Sequence, residues 1–150
     1  MHETVHRAGQ SPYSHSGALA PDRLWRVGAD AETLAKASAL VRIGIGVTAL
    51  AAPAAIAGPW IGTEARRPQA KLLARAMGMR DVALGAGVLL ARAQGQDARG
   101  WVRMGALSDA MDATLTCASF ARLPRWGRWG VLASAGAAAV AGLWATNRMG

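Results

Sequence analysis

Residues 100–120 read GWVRMGALSDAMDATLTCASF, an apolar stretch carrying Asp109 and Asp112 in its interior. The apolar stretch before it, 72–92, carries the doublet Arg80-Asp81. Each is about twenty residues long, and at 1.5 Å rise per residue a helix of that length crosses the roughly 30 Å hydrocarbon layer of a bilayer. An ionised group near the centre of that layer costs about 2.5–3.5 kcal/mol even on the lenient insertion scale. Chains keep such groups when they pair, and often because they work.

Two further apolar segments flank this pair. One runs over 38–58, with Arg42 near its start and Pro53 near its end, and the other over 126–146. Connections are short and turn-like: Gly58-Pro59-Trp60 to Pro68, Ala93 to Asp97, and Leu123-Pro124-Arg125. Short links make each helix antiparallel to its predecessor, and no strand-like alternation appears. The expected fold is all-α, a four-helix transmembrane bundle in up-down order over 37–150. Residues 1–20 are too polar and turn-rich to pack and read as a disordered tail. Residues 21–36, with Leu24, Trp25, Val27 and Ala31 between charges, read as an amphipathic or interfacial helix.

The composition agrees with that division. The chain of 150 residues is 52% hydrophobic with a mean hydropathy of only +0.16, because the polar residues crowd the first 36 positions. A net charge of +8 would suit nucleic acid if it formed one stripe. Instead the basic residues bracket the apolar segments: Arg66, Arg67 and Lys71, then Arg92 and Arg99, then Arg122, Arg125 and Arg128. That pattern fits lipid headgroups, not a phosphate backbone. Trp25, Trp60, Trp101, Trp126, Trp129 and Trp144 all fall near segment ends, where an apolar ring with a polar N–H suits the bilayer interface. A soluble four-helix bundle is the competing fold, but it would show one apolar stripe per helix, whereas the first and fourth segments are apolar almost all round.

Cys117 is the only cysteine, so an intrachain disulfide is excluded, and it reads as a small packing residue. Residues 1–20 lack the apolar core of a signal peptide. His2 and His6 have i,i+4 spacing, but without neighbouring carboxylates or thiolates no metal site is expected. Small residues at i,i+4, such as Ala83/Gly87, Ala106/Ala110, Gly130/Ser134 and Ala138/Gly142, let helices approach closely. The count of Lys and Arg on the two sides is nearly equal, so the missing signal peptide and the long polar tail are what favour a cytoplasmic N-terminus.

Helix counting gathers the buried charges. Arg80 and Asp81 lie about 14 Å into their segment, and Asp109 lies at a similar depth entering from the opposite face. In a hairpin folded near residue 96, Arg80 comes level with Asp112 and Asp81 with Asp109. Asp109 and Asp112, at i,i+3, share one face. One arginine and three aspartates should therefore meet near the middle of the bundle. Arg80 can hold one carboxylate in a bidentate pair, and among the remaining carboxyls at least one is expected to keep its proton at neutral pH. A neutral carboxylic acid beside an ionised one is the arrangement of a general acid/base pair. Arg42, Arg75 and Arg103 lie shallower and are expected to snorkel to headgroups. Ser108, Thr114 and Thr116 add polar groups that can simply bond back to their own helix. Met77, Met79, Met104 and Met111 suit either core filling or an adaptable lipophilic pocket. No GxSxG, HExxH, Walker or dinucleotide signature is present, and Gly85-Ala86-Gly87 reads as close packing.

The pattern Met79-Arg80-Asp81-Val82-Ala83-Leu84-Gly85 followed by Ser108-Asp109-Ala110-Met111-Asp112-Ala113 resembles small uncharacterised four-span bacterial membrane protein families, over roughly residues 38–146. The resemblance implies a four-span fold and a bacterial plasma membrane location. It also adds weight to Arg80, Asp81, Asp109 and Asp112, and it carries no activity.

The leading functional expectation is an intramembrane acid/base site that binds or converts a lipophilic small molecule by isomerisation, cyclisation or epoxide opening, without a cofactor. One of Asp109, Asp112 and Asp81 would donate a proton, another accept one, and Arg80 would hold the ionised partner. Two readings compete: a proton-linked transporter, complete only as a homo-oligomer, and an assembly protein whose cluster locks helices. The lipid bilayer and a lipophile are the expected partners, and nucleic acid is not.

Overall fold

The computed structural model describes residues 21–149, with side chains from Asp30 onward. The tail over 1–20 with its histidines, and the side chain of Trp25, lie outside the described residues. The described chain is all-helical: α1 (Pro21–Ala51), α2 (Pro53–Ile61), a 3-10 turn (Gly62–Arg66), α3 (Pro68–Ala93), α4 (Arg99–Ala118), a short 3-10 turn (Phe120–Arg122) and α5 (Arg125–Arg148).

The stretch over 21–36 and the apolar segment after it form one unbroken helix, α1. The segment expected to reach Gly58 instead breaks at Ala52, which leaves the helical region with φ −131° and ψ 65°. Pro53 explains the break. Its ring pushes the preceding residue out of the helical region, and it suits the first turn of α2, where a missing N–H costs nothing. The interruption strands carbonyls at the end of α1, and Arg75 on α3 donates through Nε to the carbonyl oxygen of Leu50 at 3.2 Å. Arg75 thus caps a broken helix, contrary to the expected headgroup contact.

The four long helices form a ring in which α1 lies along α3 and α4 along α5, while α3–α4 and α1–α5 contacts close it. The most extensive contacts are therefore not those of the α3–α4 hairpin. Glycines set the α1–α3 approach: a Cβ on Gly46 would strike the Gly78 carbonyl oxygen and Val82, and one on Gly85 would strike Ala39 and Ile43. Gly46 beside Gly78 and Ala39 beside Gly85 fix the two helices as antiparallel. Gly87 gives its face to the Trp101 ring, and Gly142 meets Ala106. A Cβ on Gly130 would meet nothing within 4 Å, and Ser134 bonds back to its carbonyl at 2.8 Å, so that small pair sets no close helix approach among the described residues.

The interior is built of small side chains. Ala31, Ala35, Ala39, Ala98 and Ala145 are buried, and Thr116 is the largest fully enclosed side chain among the described residues. Leu72, Leu73, Leu115 and Val140 face outward. So do Met79, Met104 and Met111, which removes them from any internal pocket, and Cys117 is exposed rather than packed. Two stretches, Asp30–Ala51 and Arg125–Arg148, are long and apolar enough to cross a membrane, with mean hydropathies of 1.5 and 1.3.

Candidate functional site

The register set by the glycines brings five charged side chains to one level of the bundle. Arg80 on α3 donates to Asp112 on α4 through both terminal nitrogens, Nη2 to Oδ2 at 2.9 Å and Nη1 to Oδ1 at 3.3 Å. This is the bidentate pair that helix counting places there. Arg80 also reaches its neighbour Asp81 at 3.4 Å.

A second cation, Arg42, joins the cluster. Arg42 does not snorkel outward: its Nη1 donates to Asp81 Oδ1 at 3.1 Å, and its Nη2 donates to Asp109 Oδ2 and, at 2.9 Å, to the Gly105 carbonyl. Its side chain is only 13% exposed and that of Asp109 12%. Depth counted from Ser38 puts Arg42 near an end of its segment, whereas α1 begins at Pro21 and residue 42 lies well inside it. The discoverable signal was glycine spacing. Pairing Gly46 with Gly78 and Ala39 with Gly85 across an antiparallel contact puts residue 42 level with 81–82.

The assembled cluster is thus two arginines and three aspartates, shared by α1, α3 and α4. Arg42 needs the space left by Gly105, where a Cβ would approach its guanidinium to 3.1–3.3 Å. The arginines satisfy Asp112 at both oxygens, Asp81 at Oδ1 and Asp109 at Oδ2. Among the described residues nothing donates to Asp81 Oδ2 or Asp109 Oδ1. Thr116 and Thr114 bond back to the carbonyls of Asp112 and Ala110, both at 2.7 Å. The Ser108 hydroxyl, Trp60 Nε1 and Arg80 Nε are buried without a partner among the described residues.

A cavity of about 240 Å³ opens beside the cluster, lined by Arg42, Arg80, Asp81, Asp109 and Asp112 together with Met77, Trp60 and alanines of α5. A second cavity, of about 380 Å³, is almost wholly apolar, with walls including Leu34, Val41, Val88, Trp101 and Val102. Ser38, Val41, Arg42 and Ala138 line both, so the two adjoin at the level of the cluster. All four expected site residues therefore converge, and they do so on a void. Among the described residues no three His, Cys, Asp or Glu side chains are placed to hold a metal ion.

Arg103 is exposed, in a polar hollow at the far end of the bundle with Asp97, Arg99, Thr146 and Asn147. Away from the cluster, Arg92 pairs with Glu32 between α3 and α1. Arg128 stacks over the Phe120 ring at 4.2 Å and donates to the Phe120 carbonyl at 2.9 Å, fastening the α4–α5 turn.

No family model matches the chain, and no curated protein or solved structure does either.

Proposed function

We propose that the chain is a four-span membrane protein of the bacterial plasma membrane, and that it binds a lipophilic small molecule in the cavity over the Arg/Asp cluster. The inside-out distribution of side chains supports four spans. Helices that exclude water from a soluble core bury their large apolar residues, whereas here α3 and α4 turn Leu72, Leu73, Met104 and Leu115 outward and pack on alanine and glycine. Lipid-embedded helices lose nothing by this, and small faces let them approach. Trp126, 92% exposed, and Trp129 and Trp144 lie near the ends of α5, where an interfacial belt would hold them. The likeness to small four-span bacterial families belongs to the same proposal.

The binding reading rests on one observation. Asp81 Oδ2 and Asp109 Oδ1 lack protein donors, and their residues line a cavity that continues into apolar walls. Such a site orients a lipophile by its one polar group. Where that group is an epoxide or alkene, Asp109 would exchange a proton with it while Arg80 holds Asp112 in its bidentate pair. Isomerisation, cyclisation and epoxide opening share this requirement. The test is thermal unfolding of the purified protein in a nonionic detergent against a set of small lipophiles. At least one should raise the melting temperature of the wild type and not that of Asp109→Asn or Asp81→Asn. Absence of any shift across neutral, cationic and anionic probes overturns the reading.

A helix-lock role has its own supporting observation, since Arg42 ties α1 to both α3 and α4. A pure lock predicts that apolar replacement of the whole cluster leaves a folded bundle with every property intact.

A further inference from the structure

The charge of the cluster narrows the ligand class. Three carboxylates face two guanidinium groups, which leaves one negative charge when all are ionised. Both arginines spend their terminal nitrogens inside the cluster or on the Gly105 carbonyl. The acceptors left for a ligand are the unpartnered oxygens of Asp81 and Asp109, with Trp60 Nε1 and Arg80 Nε as unpartnered donors on residues of the same cavity wall. A surplus charge in a low-dielectric site is costly unless a proton or an opposite charge meets it. An ammonium group answers both conditions, because it carries one positive charge and three donors. The adjoining cavity of about 380 Å³ is apolar and begins at Arg42, at the same level.

Resting on the reading that these cavities take a lipophile, we propose that the ligand is a lipophilic primary amine. Its ammonium head lies between Asp81 and Asp109, and its apolar body extends past Ser38 and Val41 toward Val88 and Trp101. The same surplus works against an anionic lipophile, and a neutral one leaves it to be met by a proton.

The experiment compares dodecylamine, dodecanol and dodecanoate at neutral pH, titrated into the full-length protein in a nonionic detergent and read by tryptophan fluorescence and calorimetry. Dodecylamine should bind at least about tenfold more tightly than dodecanol, a difference of about 1.4 kcal/mol. Asp109→Asn and Asp81→Asn should each bring the two probes close to parity. The three-probe comparison on the wild type stands by itself if a variant fails to fold. Equal affinity for amine and alcohol overturns this inference while leaving the lipophile site intact, and so does tighter binding of dodecanoate. A preference for the amine that survives both substitutions overturns it too, because the head is then elsewhere. Binding of none of the three overturns the inference together with the site.

Discussion

Arg42 and Asp109, 67 positions apart in the chain, share an ion pair that joins α1 to α4 across the interior of the bundle. Through the same guanidinium Arg42 also holds Asp81 on α3. Three helices therefore meet at one side chain, and the two carboxylates it holds are those with an oxygen to spare.

Removing that side chain should be among the most damaging single changes in the chain. Arg42→Leu leaves Asp81 with only its 3.4 Å contact to Arg80 and Asp109 with no cation. Breaking a buried pair from one side costs about 3–5 kcal/mol, whereas replacing both partners with apolar residues is often neutral. Arg42→Leu should thus lower the unfolding midpoint in a denaturing-detergent titration by that order, and Arg42→Leu/Asp109→Leu should recover much of it. A double variant no better than the single one would show that the pair is not the unit of stability.

Two glycines two residues apart should respond with opposite signs. A methyl group on Gly46 meets the Gly78 carbonyl and Val82, while one on Gly44 meets nothing within 4 Å. Gly46→Ala forces α1 from α3 and should cost about 1–3 kcal/mol, also loosening the contact of Arg42 with Asp81. Gly44→Ala only removes a poor helix former and should gain up to about 1 kcal/mol. The same detergent titration reads both, and equal effects would mean that the close α1–α3 approach does not form.

The helical class, the short connections and the meeting of Arg80 with Asp112 were all legible in the sequence, because helix rise and i,i+3 spacing are rigid geometry. What sequence could not rank was which helices pack most closely. Chain order suggests the α3–α4 hairpin, but Gly46, Gly78 and Gly85 draw α1 against α3 instead, and that contact brings in Arg42. Pro53 was visible as a breaker, yet its effect on where the segment ends depended on α3 supplying Arg75 to the loose carbonyl of Leu50. The outward turn of Met79, Met104 and Met111 was hidden for a simpler reason. In the proposed four-span bundle, apolar side chains would gain no more inside than outside, so hydrophobicity would not mark the inner face.

The loop before α4 should carry a pH dependence of its own. Asp97 accepts the backbone N–H of Arg99 at 2.8 Å and the Arg99 Nε at 2.9 Å. The backbone hydrogen bond above all, then the side-chain one, holds its carboxyl below the ordinary carboxylate value. A depressed folded-state value means that stability is present above the unfolded value of about 3.9 and is lost as pH falls through the folded one. Amide exchange at the start of α4 should therefore quicken below about pH 4, relative to the intrinsic rate. Asp97→Asn should remove that step. A step of equal size in the variant would assign it to other carboxylates.

The number of membrane crossings separates the four-span reading from a weaker one in which only α1 and α5 cross. Thr63 lies in the turn before α3 and Gln96 in the turn before α4, both exposed. With four crossings these turns face opposite sides of the membrane; with two, everything between α1 and α5 shares one side. In a Cys117→Ser background, Thr63→Cys and Gln96→Cys should react with a membrane-impermeant maleimide from opposite faces of intact cells and inverted vesicles. A cytoplasmic N-terminus makes Gln96→Cys the inward one. With four crossings, the native Cys117, exposed on the outer surface of α4, should be covered by lipid, resist the same reagent from either face, and react once detergent strips the bilayer. Labelling of positions 63 and 96 from the same face would leave α3 and α4 outside the hydrocarbon layer. The Arg/Asp cluster would then be a buried polar network of a water-facing hairpin, and the case for a lipophile reaching it through the bilayer would fail with it.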